Sequence, residues 1–389
     1  AVLLSYAFIG YMIENGSGST TSWTFILFAC FIAAYSGGLA TLTAISTSIM
    51  NFPKSSGGLI IIFFIWLYKL AEYFEYSLKN TFFPELSGMS YFLWIGGSLA
   101  FLFLASALLL QSVEVNSTIA NVMSDSDKIG LYVFLVIELL IITSFFITAM
   151  ILEDIKTSAI ILLSFLGVSF IALALVVFLV YNKLRGTSAR AFAGSLRGDN
   201  YSDKEFEKTY KEGKYISMAI ASFIIIGIGY IVNTHSFKIA YSLGQPNVSE
   251  QLDNAFWASD IFSRFAFGLL LYLFFDTING FLFLLIGAGA VALGLGSSLL
   301  TGSLGGTFLY IGYVQIGLGT GMFWVGVPLI LLQNCGAINF PLNWGFILII
   351  NCFGFLWHNL IFDWLYSNKS GGEELCSGAG CIVIQYVLF

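Results

Sequence analysis

The sequence predicts an all-α polytopic membrane protein whose helices fall into two groups. Composition, the length of the apolar runs and a single charged stretch between the groups carry that prediction. Of 389 residues, 58% are hydrophobic and 10% charged, with a mean hydropathy of +0.88. A soluble globular chain carries about 25% charged residues, so this one cannot coat itself with water-facing groups. Its 16 Lys+Arg and 22 Asp+Glu leave a net charge of −6. Those numbers exclude intrinsic disorder, a disulfide-rich secreted scaffold and a nucleic-acid partner, because no basic footprint for phosphates exists.

A spanning helix needs about 20 apolar residues. Apolar runs occupy roughly 1–13, 21–49, 57–83, 90–113, 129–152, 157–182, 215–243, 255–276, 281–300, 306–333, 343–366 and 381–389. The first and last are too short to span and are expected to be truncated ends of longer helices, so the chain reads as part of a longer one. The long interior runs imply tilted helices. A transmembrane barrel would show segments of about ten residues with period two, whereas Thr157 to Val180 is apolar on every face.

The charged stretch 181–214 holds Lys183, Arg185, Arg190, Arg197, Lys204, Lys208, Lys211 and Lys214, half of all the cations. Positive loops stay on the cytoplasmic side, so this linker is expected in the cytosol. Alternating sides outward from it places Lys54 and Lys128 there too. The glycosylation sequons at Asn15, Asn247 and Asn368 then face the opposite side, with Asn116 cytosolic and unused. A glycoprotein of a eukaryotic plasma or organelle membrane is the expectation. Cys376 and Cys381 fall on the outer side, where a disulfide survives; two unpaired thiols are the alternative. Cys30, Cys335 and Cys352 lie in apolar runs and read as small packed residues.

The division expected is an N-terminal bundle over 1–113, a helix pair within 114–180, the linker 181–214 and a six-span bundle over 215–389. Two bundles joined by a charged linker is a transporter layout. Gly287, Gly289, Gly294 and Gly296 in one run, and Gly312, Gly317, Gly319, Gly321 and Gly326 in the next, argue for close helix packing.

Several stretches together resemble the major facilitator superfamily, and within it the eukaryotic nodulin-like group. Asn51-Phe52-Pro53-Lys54-Ser55-Ser56-Gly57-Gly58 is similar to that group's signature after the fourth helix. Ile239 to Gly244 is similar to the end of the first helix in the family's C-terminal half, and Tyr310 to Gly336 to its tenth helix. Leu365-Tyr366 followed by Cys376 to Cys381 resembles its loop before the final helix. The resemblance implies two six-helix bundles. If Asn51 closes the fourth helix, two helices precede this chain and 129–182 is an extra pair, giving fourteen; counted without the resemblance, the runs give twelve. Gly268 to Asp276 keeps the Gly and Asp of the family's second signature loop but lacks its basic cluster.

Ionisable groups at bilayer depth are costly and usually functional. Asp260 and Arg264 stand four residues apart on one helix face, near the middle of their span. The stretch Trp257 to Gly268 is similar to the eighth helix of proton-coupled monocarboxylate transporters, with Phe265 where that family has Pro. That resemblance implies that Arg264 holds a substrate carboxylate and Asp260 takes part in proton coupling. A purely structural ion pair is the other reading. In the run 57–83, Lys69 and Glu72 share a polar stripe expected to line a cavity opposite Asp260 and Arg264. Glu138, His235 and His358 are further candidates, each with a packing role as the simpler alternative.

No phosphate loop, haem cluster or metal-ligand pattern occurs, so neither an enzyme nor a cofactor is expected. The function expected is secondary active transport of a small organic solute, a monocarboxylate-like anion with protons, by alternating access. The partners are then that solute, protons and membrane lipids. A transporter-derived membrane subunit or sensor without flux is the alternative.

Overall fold

In hydrocarbon every backbone amide must find its partner within the segment, which leaves helices as the economical solution for a chain this apolar. The computed structural model describes residues 2–15, 20–51, 57–82, 88–109, 212–274, 279–301, 305–371 and 373–388, and every regular element among them is helical. The elements are α1 (Val2–Asn15), α2 (Thr20–Asn51), α3 (Gly57–Phe82), α4 (Gly88–Leu109), α5 (Gly213–Thr234), α6 (Ser236–Ser242), α7 (Ser249–Leu273), α8 (Gly280–Leu299), α9 (Thr307–Ser370) and α10 (Val383–Leu388). They follow the apolar runs closely. The runs 129–152 and 157–182, Glu138 and linker residues 181–211 lie outside the described residues.

Among the described residues, five helical segments are long and apolar enough to cross a bilayer: Gly213–Thr234, Gln251–Leu273, Gly280–Leu299, Thr307–Ala337 and Asn339–Ser370. Outward-facing Leu285, Leu293, Phe353, Leu360 and Trp364 are each more than 60% exposed. Such a surface demands lipid. The protein is an integral membrane protein.

The chain divides into two compact units. The first takes 1–55, 72–142 and 152–198; the second takes 56–71, 143–151 and 199–389. In the first, α1 and α4 run antiparallel. A Cβ at Gly10 would sit 2.8 Å from the Met89 backbone, and one at Gly96 2.8 Å from Tyr6. Tyr6 stacks on Phe92 at 6.2 Å, and the Glu14 carboxylate accepts the Met89 N–H at 3.0 Å, satisfying an open amide at the start of α4.

In the second unit the runs expected as two helices, 306–333 and 343–366, are joined by no loop. α9 consists of Thr307–Ala337 (α9a) and Asn339–Ser370 (α9b), joined at Gly336, which holds φ 72° and ψ 170°. Trp324 and Trp344 lie about 30 Å apart along a straight helix, yet their rings are 6.1 Å apart. The chain therefore reverses at Gly336, a backbone conformation that only glycine adopts without strain.

α9a is the centre of this unit. In its most apolar stretch 83% of residues are buried, against 28% in α9b. Gly312, Gly319 and Gly326 face antiparallel α8, Gly317 and Gly321 face α7, and Thr320 meets Gly229 of α5. On α8, Gly287 and Gly294 complete the contact, whereas Gly289 and Gly296 have open space around them. Spacing by seven keeps the inward glycines on one seam, where their backbones approach closely.

A side chain at Gly294 would place Cβ 2.6 Å from the Gly312 carbonyl, a backbone atom that cannot swing aside. Gly294→Ala is expected to cost about 1–3 kcal/mol, lowering the thermal midpoint in detergent by several degrees. Gly289→Ala on the same helix should leave that midpoint unchanged.

Candidate functional site

The N-terminal part of α3, Gly57 to Ala71, belongs to the second unit and runs antiparallel to α7. A side chain at Gly58 would strike Tyr272, one at Gly268 would strike Val325 of α9a and crowd Ile62, and Trp66 packs on Phe265 at 6.3 Å. This register brings Lys69 level with Asp260. Lys69, Asp260 and Arg264 are 3%, 1% and 2% exposed.

One helical turn separates Asp260 from Arg264, and the planar guanidinium uses it fully. Nε donates to Oδ1 and Nη2 to Oδ2, both at 2.8 Å. Lys69 Nζ lies 3.8 Å from Oδ2. The two cations also lie over aromatic faces: Lys69 Nζ is 3.6 Å from the Trp257 ring centre and Arg264 Cζ 4.9 Å from that of Trp324. Nη1 reaches the Ile65 carbonyl at 3.4 Å. Each desolvated cation–π contact is worth up to about 2 kcal/mol.

The glycines of α9a let its backbone close over this carboxylate. A Cβ at Gly321 would fall 2.9 Å from Asp260 Oδ1, and one at Gly317 2.6 Å from the Phe256 carbonyl. Ser263, between them, donates to the Leu318 carbonyl. Trp324 is braced edge-on by Trp344 at 6.1 Å and Tyr230 at 6.4 Å.

Of the residues that the sequence marked, Asp260, Arg264 and Lys69 come together. Lys69 was expected from the opposite bundle, yet it sits in the same compact unit as Asp260. Glu72 lies one turn on in α3, within the first unit, and its side chain is not among those described. His358 is buried in α9b, where Nδ1 pairs with the Gly354 carbonyl at 2.6 Å and the ring fits against Gly227 and Phe223. His235 takes part in a separate cluster with Lys238, Asn359 and Asp363. Cys376 and Cys381 are joined by a disulfide. An apolar cavity of about 280 Å³ lies elsewhere in this unit, lined by Ile225, Ile228, Val291, Leu295 and Tyr386 among others, none of them part of the triad.

Sequence reasoning did not single out Trp324, nor give Trp257 a role. The signal for Trp257 was present, because it stands three residues before Asp260 on the same helix face. Nothing local to Trp324 marks it, since its partner is distant in the chain.

Fold and site define an integral membrane protein with a buried cation–carboxylate–cation cluster between α3 and α7. No family model matches the chain, and no curated protein matches it. The crystal structure of the fucose:proton symporter of E. coli is similar at a TM-score of 0.40 and 16% identity, over 99% of this chain and 79% of that one. A likeness that distant assigns neither family nor cargo.

Removing one partner from a buried ion pair leaves an uncompensated charge and costs about 3–5 kcal/mol, whereas replacing both by apolar groups is often neutral. Asp260→Leu, which leaves both Arg264 and Lys69 uncompensated, should therefore lower the thermal midpoint strongly. Adding Arg264→Met and Lys69→Met to that variant should recover much of the loss in the same unfolding assay.

Proposed function

We propose that the protein is a secondary transporter of a small organic anion, coupled to protons, with Arg264 as the anion anchor. The bidentate Arg264–Asp260 pair, with Lys69 on the second oxygen, is the observation that carries this reading. A guanidinium fork that holds one carboxylate edge-on also fits the carboxylate of a substrate. Substrate that takes the fork displaces Asp260, and a carboxylate stripped of its partner in a low-dielectric site is stabilised by taking a proton. Anion and proton then load together, and no net charge is added. Lys69 retains an attraction for whichever carboxylate is present.

The resemblance of Asn51 to Gly58, and of the Asp260–Arg264 stretch, supports a nodulin-like major facilitator with a monocarboxylate-like cargo and alternating access between two bundles. In that arrangement the linker 181–214 faces the cytosol. Asn247 and Asn368, both exposed, then face the opposite side. The second reading, a transporter-derived subunit without flux, draws on the near-complete burial of all three charged side chains. It treats the pair as a structural clamp.

Uptake of labelled monocarboxylates into proteoliposomes, with and without an inward proton gradient, separates the two. Uptake should follow the gradient. Arg264→Lys keeps the charge and loses the planar fork, so uptake should fall by about ten-fold or more. Asp260→Asn should abolish the response to pH while leaving residual anion exchange. Gradient-independent behaviour that is identical in all three proteins would leave the clamp as the better account.

A further inference from the structure

The apolar run 215–243 is broken at His235, whose φ −106° and ψ 21° separate α5 from α6. The break sits inside a polar cluster apart from the buried triad. His235 Nε2 lies 2.9 Å from Asn359 Oδ1, and Asn359 Nδ2 donates to Asp363 Oδ2 at 3.3 Å. Lys238 donates to Asp363 Oδ1 at 3.0 Å and lies over the Tyr366 ring. The imidazole itself stacks on Phe362, with centres 4.3 Å apart.

These bonds tie α6 to α9b through two side chains, His235 and Lys238. The far end of α6 is tied as well. Ser242 donates to the Cys376 carbonyl, the Gly378 N–H donates to the Ser242 carbonyl, and the Tyr366 hydroxyl accepts the Cys376 N–H. The disulfide closes that loop. α6 is thus a seven-residue segment hinged at a histidine and fastened to one wall.

The hydrogen bonds fix which ring nitrogen carries a hydrogen. Asp363 only accepts, so the Asn359 amide nitrogen must face it and the Asn359 oxygen must face the ring. Nε2 therefore carries the hydrogen, and the neutral tautomer satisfies the cluster. Charged groups act on the ring from two elements: Asp363 of α9b, 3.9 Å from Nε2, and Lys238 of α6. Lys238 already holds the nearer Asp363 oxygen, so the pair is neutral overall and offers a second cation little. Protonation would place a full charge on a buried ring lying on phenylalanine. A swung-out α6 would let water solvate that charge.

We propose that His235 is a second proton-binding site, distinct from the triad, and that the proton it takes releases α6 from α9b. The proton binds the released form better, and by that difference alone it shifts the population. Acid frees α6; neutral pH fastens it. The device works whether or not the triad carries an anion.

Hydrogen–deuterium exchange of the full protein in nanodiscs, corrected for the intrinsic pH dependence of exchange, tests this without any flux. Amides of Ser236–Ser242 should exchange about ten-fold or more faster near pH 5.5 than near pH 8, the factor that one unit of differential proton affinity supplies. His235→Gln keeps a donor for Asn359 and cannot titrate, so the difference should vanish. Asp363→Asn, at a half-exposed position, removes the anchor for Lys238, and α6 should exchange fast at both pH values. An unmodified protein whose α6 exchanges alike at both pH values overturns the proposal. So does a full pH response that survives in His235→Gln or Asp363→Asn.

Discussion

A carboxylate taken out of water must be answered by the protein, and Asp260 shows how much of a fold that can organise. Its two oxygens take Arg264 in a bidentate grip with Lys69 nearby. The alternative, an unpaired charge at bilayer depth, costs several kcal/mol. Everything around the cluster follows from keeping it dry and satisfied. The cations lie over Trp257 and Trp324, whose ring faces attract them in place of water. Gly317 and Gly321 bring the α9a backbone to where any side chain would collide with α7.

The helix interfaces of this unit are of two kinds. α8 meets α9a through glycines that leave no room for adjustment, a contact built on dispersion and close backbone approach. α5 meets α9b through Gly227 and Gly354 as well as through a polar seam, and that seam alone continues along α6. Ser222 bonds to Asn351, His235 to Asn359 and Lys238 to Asp363, in parallel register along both elements. A glycine seam resists any shift, because packed backbones have no second arrangement nearby. A seam of hydrogen bonds can exchange partners with water at its exposed end. Motion in the second unit is therefore expected at α6, with α8 and α9a moving as one piece.

Much of the helical layout was legible because the bilayer imposes a length and a polarity that composition reveals directly. The runs 57–83 and 281–300 match α3 and α8 almost to the residue. Where the reading went astray, the cause was a backbone feature that hydropathy does not register. Gly336 reverses the chain without a polar loop, so a gap was expected between 333 and 343 where both helices continue. His235 breaks a run that is apolar on either side. At the site, the i,i+4 spacing of Asp260 and Arg264 made their pairing readable from one helix. Lys69 docks there because of the register between α3 and α7, which Gly58 and Gly268 set and which no local pattern encodes. The glycines of α9a were visible as packing residues, but which of them face α7 and which α8 is decided by the rotation of the helix in the bundle.

An organic anion and a proton are proposed to share the Arg264–Asp260 site. The most direct measurement is the internal pH of proteoliposomes holding a trapped pH-sensitive dye, followed as a small monocarboxylate is added outside. Shared loading at Arg264–Asp260 should acidify the interior faster than in protein-free vesicles, saturating with anion concentration and reduced to the protein-free rate by Asp260→Asn. Acidification no faster than the protein-free leak, or an unchanged rate in Asp260→Asn, would contradict it.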